Sequence, residues 1–500
     1  MRPRRMLKSK SKITILVCAV LTLGLLSGAA YGMEVGPTGL NLSGELEQTV
    51  NLSLTDGELT LGVTSYKLSL DQDLKRPGAG IDGHAYVSVK GWYNHEASDA
   101  KWLELDEAYV DIYQDLFDLR LGRQAVSWGT AYGFNPTSYV NPLPSMAALN
   151  QGGLTNLTGL PVPAAYISAY PSWKDMSADV GMVLVLNPRL QGVPLPEEYQ
   201  AKIVNGICHG TKAGLQVPGV AEALAEELLP YLPPGVPITE DQLAIIIKNA
   251  DVNPTALEFS PELPDSFTDR LEVAGRAGMN FGMWDLYISG FRGWEDSPVL
   301  WVETVPSVDI AQDFSYINVN LNVSPNALYR KATSFGAAVS GTYGPYTFWG
   351  EGSYTWPDKV EELDVEGNIA LSTNDSYLQA VVGADRMFGD ASEYYLMGQY
   401  IYNSSGSLLS TYRMPGEKAK AGHYLALVGR ATIHDDHQVE LINIYNMSDG
   451  GGLIVPRYTY KINPMFSTWV GTTFLIGDED TEFGSLPMDK TAFAGVKVVW

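Results

Sequence analysis

From Leu40 onward, apolar and polar residues trade places with a period of two for fifteen residues. Leu40, Leu42, Gly44, Leu46, Val50, Leu52 and Leu54 fall on one face, and Asn41, Ser43, Glu45, Glu47, Thr49, Asn51 and Ser53 on the other. Period two is the side-chain repeat of a β-strand. A strand in a soluble sandwich runs about 5–6 residues, whereas a tilted strand that crosses a bilayer needs about 9–11. A long strand, oily on one side and wet on the other, therefore fits a membrane barrel better than a sandwich. The pattern recurs: Leu271, Val273, Ala277, Met279 and Phe281 alternate with Arg270, Glu272, Arg276 and Asn280, and Phe348, Gly350, Gly352 and Tyr354 with Thr347, Glu351, Ser353 and Thr355.

Applied along the chain, the same criterion predicts strands near 39–54, 58–70, 82–94, 102–114, 116–128, 163–173, 176–187, 270–282, 284–295, 332–344, 346–356, 376–388, 392–402, 422–434, 437–447, 452–462, 466–477 and 490–500. Every second connection is short, such as Gln114-Asp115-Leu116, Gly344-Pro345 and Asn463-Pro464-Met465. The intervening ones, 129–162, 188–269, 296–331, 357–375, 403–421 and 478–489, are mostly long. Short turns at one end and long loops at the other mark an outer-membrane barrel with both termini on the periplasmic side. The expected fold is all-β: a transmembrane antiparallel β-barrel of about eighteen strands, with sixteen as the alternative count.

Composition agrees. A mean hydropathy of -0.05, with no run of 18 apolar residues after Gly32, excludes a bundle of membrane-spanning helices. Charged residues make up only 18% and aromatic residues 11%, against roughly 25% charged in soluble domains. The first twelve residues carry six bases and no acid, an apolar run follows from Ile13 to Leu26, and Ala30-Tyr31-Gly32 supplies small residues for cleavage, so residues 1–32 read as a secretory signal peptide. The mature chain, 33–500, then holds 27 bases against 57 acids, a formal charge of -30, which excludes nucleic acid as a partner. Cys18 leaves with the leader, and Cys208 alone forms no intramolecular disulfide.

Residues 188–269 differ from the rest. Ala221, Leu224 and Leu228, then Leu243, Ile246 and Ile247, have helical spacing, and Thr239 with Gln242 forms a capping-box pattern. A small helical extracellular insert within the barrel is expected there, capping or plugging the mouth or simply covering the surface.

Inward-facing polar positions are the candidate pore lining: Glu107, Asp111, Arg120, Gln124, Arg270, Glu272, Arg276, Asp285, Glu351, Asp385, Arg430 and Arg457. In the hairpin around Asp115, Glu107 and Asp111 oppose Arg120. Such groups either orient polar solutes or brace the wall as ion pairs. Arg123 breaks the alternation and predicts either a bulge or the approach to an interface there. The loop from 129 to 162 is the candidate constriction, with Trp128, Asn135 and Pro136 at its start; its sparse charge fits a surface loop as the alternative. The final strand ends in an aromatic residue, and Gly495, Val498 and Trp500 read as the signal by which barrel-assembly machinery pairs that edge.

The run Leu121-Gly122-Arg123-Gln124, then Trp128-Gly129, then Asn135-Pro136, resembles an uncharacterised family of porin-like outer-membrane barrels akin to alginate-export-type porins. Tyr329 to Tyr354, with Trp349-Gly350-Glu351-Gly352-Ser353-Tyr354, and Gly450 to Asp478 are similar to it as well. The resemblance implies an outer-membrane channel of undefined substrate and no enzyme.

No nucleophile elbow, phosphate loop or paired-Cys zinc spacing is present. His434-Asp435-Asp436-His437 is the one cluster with metal-ligand types, and it falls on a short turn. Catalytic and metal-ligating residues are therefore expected to be none, and cofactors none. The expected function is passive diffusion of small polar or amphipathic solutes, with outer-membrane lipids and the assembly machinery as partners. The alternatives are a surface adhesion or glycan-binding protein anchored by a barrel, and a barrel hydrolase.

Overall fold

The computed structural model describes residues 33–34, 39–55, 57–74, 82–95, 99–142, 159–173, 176–188, 212–213, 215–232, 238–249, 251–254, 266–296, 299–310, 317–363, 369–373, 376–406, 408, 420–478, 481–484, 486 and 490–500. The leader expected over 1–32, Cys208 and residues 143–158 of the candidate loop lie outside these.

Alternating residues build the strands β1 (Leu40–Ser53), β2 (Leu59–Asp73), β3 (Asp82–Asn94), β4 (Asp99–Tyr113), β5 (Phe117–Gln124), β6 (Val162–Ala169), β7 (Met176–Val185), β8 (Glu272–Phe281) and β9 (Trp284–Trp294). They continue with β10 (Lys331–Tyr343), β11 (Tyr346–Pro357), β12 (Tyr377–Phe388), β13 (Tyr394–Asn403), β14 (Gly422–Ile433), β15 (His437–Asn446), β16 (Gly452–Asn463), β17 (Phe466–Ile476) and β18 (Thr491–Val499). Each pairs antiparallel with the next, and β1 pairs with β18 from Glu45↔Val499 to Ser53↔Thr491, which closes the ring. Two further strands of two residues, Met33–Glu34 and Ser172–Trp173, add to its edges. The protein is thus a closed antiparallel β-barrel of eighteen strands. The strand expected to reach 173 stops at Ala169, because Pro171 supplies no N–H to a ladder.

One face of every strand points away from the ring, and it is apolar: Leu52, Leu70, Val87, Leu121, Met182, Ile288, Phe335, Val382, Leu396, Leu427, Leu441 and Val470 are all exposed. In water such a belt would cost about 25 cal/mol for each Å² left uncovered, and hydrocarbon removes that cost. Aromatic residues flank the belt, among them Trp102 at the long-loop end and Phe281, Trp284, Tyr343 and Tyr346 at the short-turn end. Among the described residues no helix is long and apolar enough to cross a membrane.

The seam between first and last strands carries its own device. Trp500 and Gly44 exchange two backbone hydrogen bonds of 3.0 Å, and the Trp500 indole lies where a Cβ on residue 44 would stand, 2.4 Å from its ring. Glycine is what lets the terminal aromatic lie flat on β1. Val498 packs beside it with Val496 and Phe466, whereas Gly495 faces the opposite side and makes room for Trp469.

Outside the ring, helices α1 (Val220–Leu228) and α2 (Glu240–Lys248) form in the long insert. Thr239 caps α2: its hydroxyl accepts the Gln242 N–H at 3.3 Å, and the Gln242 side chain accepts the Thr239 N–H at 3.0 Å. Ala221, Ala225, Leu243 and Ile247 bury against one another as a small core of their own. Lys248 joins the helices through Glu222 at 2.6 Å and holds that carboxyl below the usual carboxylate range. Val299–Ile310 and Ile317–Leu328 pair as a hairpin, to which Asp251–Pro254 adds in parallel.

Candidate functional site

The inner face of β2–β5 holds an ion-pair ladder. The tight turn after Tyr113 sets Asp111 opposite Arg120, and the guanidinium grips the carboxylate with two bonds, Nε–Oδ1 2.6 Å and Nη2–Oδ2 2.9 Å. It also lies 4.1 Å from the centroid of the Tyr109 ring. One step along, Asp106 takes Lys67 at 2.7 Å and Lys90 at 2.8 Å on its two oxygens.

Asp106 is among the residues that sequence reasoning missed. Strict alternation would send it outward with Ala108 and Val110. The register between β3 and β4 instead jumps from Val87↔Ala108 to Val89↔Leu105, so Asp106 and Glu107 together face the single residue Ser88. This bulge turns the carboxylate inward, where two lysines meet it. The bulge expected at Arg123 is therefore misplaced by one strand: β5 keeps regular register from Ala108↔Arg123 to Tyr113↔Asp118, and Arg123 Nε instead donates to the Asp106 carbonyl at 2.8 Å. An acidic residue at an outward position was the available signal, because an unpaired carboxylate in hydrocarbon is costly.

The remaining candidates divide. Arg276 pairs with Asp179 at 2.7 Å and lies 4.6 Å from the Tyr287 ring centroid. Glu272 is buried and accepts the Trp294 N–H at 2.8 Å. Asp285 accepts from Asn280 at 2.8 Å, Asp385 from the Tyr395 hydroxyl at 3.1 Å, Arg430 meets Glu440 at 3.4 Å, and Arg457 lies over Trp469. Gln124 is fully buried, its amide donating to the Ala164 carbonyl at 2.9 Å. Arg270 is displaced from its expected place on the wall: Phe267–Arg270 is a short helix capped by Ser266, so Arg270 precedes β8. His434 and Asp435 occupy a turn with positive φ, and His437 contacts Tyr458.

At Ala125 the chain leaves the wall and turns inward. Asn141 pins both ends of the excursion, its carbonyl oxygen accepting the Val126 N–H at 2.6 Å and its amide donating to the Gln124 and Leu160 carbonyls at 3.2 and 2.7 Å. Between them the segment crosses to the far side. Glu351 on β11 accepts the Thr130 N–H at 2.7 Å, the Thr130 hydroxyl at 3.1 Å and the Thr137 N–H at 3.5 Å. Gln399 on β13 accepts the Tyr132 N–H at 3.1 Å and donates to its carbonyl at 2.9 Å. Trp128 and Pro136 are buried, and Asn135 folds back against Gly129, where no Cβ could stand. Tyr139 stacks on Phe291 and contacts Ser289 at 3.3 Å, and burial pushes its phenol up to about 12. Burial, with Glu440 nearby, raises Tyr132 too.

Beside Arg430 and Glu440 the opposite wall carries an apolar patch that the sequence did not announce. Met397, Ile401, Val428, Ile442, Leu453 and Val455 point inward and are covered, with Ala131 and Phe134 of the crossing segment packed against them. A second inserted piece, Thr481–Gly484 with Leu486, adds Phe483 to this cluster. Its Glu482 accepts the Tyr424 hydroxyl at 2.6 Å and the Asn446 amide at 2.9 Å. Among the described residues no group of three His, Cys, Asp or Glu is arranged to hold a metal ion.

A family model described as a protein of unknown function (DUF1302) matches residues 50–180, the stretch that holds the ladder and the crossing segment. Among solved structures the chain is similar to OmpF of Salmonella typhi in complex with daunomycin, at 12% identity over 94% of this chain and 100% of that one, with a TM-score of 0.41. It is similar to OccAB1 of Acinetobacter baumannii at 8% identity over 95% and 99%, TM-score 0.47. For OccK5 of Pseudomonas aeruginosa the figures are 8%, 92% and 97%, and 0.44. A comparison with curated proteins finds no match.

Proposed function

We propose that this barrel is a passive channel in the outer membrane, non-enzymatic, through which small polar or amphipathic solutes diffuse. The observation that carries the reading is the crossing segment 125–142, tied to the far wall by Glu351 and Gln399. A loop fixed across a lumen narrows it and sets a size limit, while charged walls replace part of a solute's hydration. The lining is the Asp106, Asp111 and Arg120 ladder on one side and Asp385, Arg430 and Glu440 on the other. Its charges are largely paired, so fixed fields inside are local and ion selectivity is weak. The expected leader at 1–32 and the terminal Trp500 accord with export and with assembly at the outer membrane.

The test is current through planar bilayers. The purified, folded chain is expected to give discrete single-channel steps. Absence of any step, both in the intact protein and after removal of residues 188–269, overturns the reading.

A further inference from the structure

Arg386 is an arginine of the wall that faces outward without a carboxylate partner among the described residues. By register it lies on β12 between Tyr346 and Leu396, on the outward face that also carries the exposed Leu378 and Val382. Arg120, Arg276 and Arg430 point inward and each meets a carboxylate. Arg292, outward like Arg386, is neutralised by Asp358 at 2.6 Å. Arg386 is in no ion pair among the described residues. Its Nη1 donates to the Tyr346 hydroxyl at 3.0 Å and its guanidinium lies 5.1 Å from that ring's centroid; its Nε, like those of Arg276, Arg430 and Arg457, is buried without an acceptor.

Beside this cation lies an open trough of about 420 Å³, lined by Tyr346, Ala384, Asp385, Arg386, Phe388, Leu396 and Gly398; the Asp385 carboxylate accepts the Tyr395 hydroxyl at 3.1 Å. The small residues Ala384 and Gly398 pair across β12 and β13. They stand two residues further from the short turn than Arg386, towards the middle of the apolar belt. Aromatic Tyr346 and Phe388 border the trough at the strand ends, the level at which a bilayer passes from hydrocarbon to headgroup.

We propose that this trough holds one glycerophospholipid of the leaflet at the short-turn end, with its phosphate on Arg386 and an acyl chain over Ala384 and Gly398. Two features select that occupant. An unpaired guanidinium at a membrane face is costly until an anion meets it, and phosphate matches its planar fork. The floor next to it is apolar and recessed, which suits a chain and offers nothing to a free anion. The site lies on the outside of the wall, so it is independent of conduction through the lumen.

The experiment is native mass spectrometry of the full processed barrel in detergent, incubated with phosphatidylglycerol or, separately, with inorganic phosphate. Wild type is expected to retain one lipid under activation that strips the others. Arg386→Gln should weaken that retention about tenfold, the worth of one charge-assisted hydrogen bond, and Arg386→Lys should restore part of it. Gly398→Leu keeps the cation but fills the floor, and the added Cβ meets only Leu427 at 3.6 Å, so the barrel should fold and the lipid be lost. Wild-type conductance and electrophoretic mobility are expected in all three variants. Equal lipid retention in wild type and Arg386→Gln overturns the proposal, as does retention of inorganic phosphate with no effect of Gly398→Leu.

Discussion

Asp106 decides the electrostatics of its wall because it serves two lysines at once. Asn in its place would leave Lys67 and Lys90 facing each other with no anion between them. Breaking one partner of a half-buried pair costs about 1–3 kcal/mol, so Asp106→Asn should lower the denaturant midpoint. It should also shift the reversal potential in a salt gradient towards anions, whereas an unchanged potential would place the ladder outside the conducting path. Tyr139 reports the crossing segment in another way. Its phenol ionises near 12 when folded and near 10 in an unfolded chain, so between those values the folded state holds the extra proton. Stability from this group is complete below pH 10 and is lost as pH rises through 12. Tyr139→Phe cannot ionise, and its unfolding temperature should fall less steeply than wild type over that window. Parallel curves would refute the assignment.

At the scale of the element, the crossing segment is a strap held at both ends and in the middle. Glu351 takes two N–H groups and a hydroxyl, each charge-assisted bond worth about 1.5–3 kcal/mol when intact. In Glu351→Gln one oxygen is replaced by an amide that itself donates, so a donor must face Thr130 or Thr137. The strap should loosen while the ring remains, giving a larger and noisier single-channel conductance at unchanged barrel stability; wild-type current would show that the strap does not limit flow. The sequence makes the strands legible but not this strap. β3 was expected over 82–94 and is found there, because alternation is local and each residue reports its own face. The bulge at Asp106 was readable in principle from one misplaced charge. The bond from Thr130 to Glu351 spans 221 positions, and nothing in either neighbourhood encodes the other. The same holds for the inward apolar patch: Met397 and Val428 look like any strand residue until Phe134 and Phe483 are seen to cover them.

For the whole molecule the governing fact is closure, since an open ring would leave two edges of unpaired backbone in hydrocarbon. The seam joins residue 44 to residue 500, nearly the full length of the chain, so its loop-closure entropy is the largest of any pairing in the ring. Contacts at the seam must offset that cost, and Trp500 supplies one of them by lying on Gly44 with Val498 and Phe466 alongside, as does the Lys497–Glu45 ion pair at 2.6 Å. Removing the indole should weaken the half-buried seam by about 2 kcal/mol on the scale of aromatic truncations. Trp500→Ala is therefore expected to slow insertion into lipid vesicles and to lower the temperature at which the folded electrophoretic form disappears, while Trp500→Phe keeps most of both. Gly44→Leu attacks the same contact from the other strand, because its Cβ would stand inside the indole, and should reproduce the slow phase with Trp500 intact. If both variants insert at the wild-type rate, the terminal aromatic is a label for the assembly machinery and plays no part in holding the ring shut.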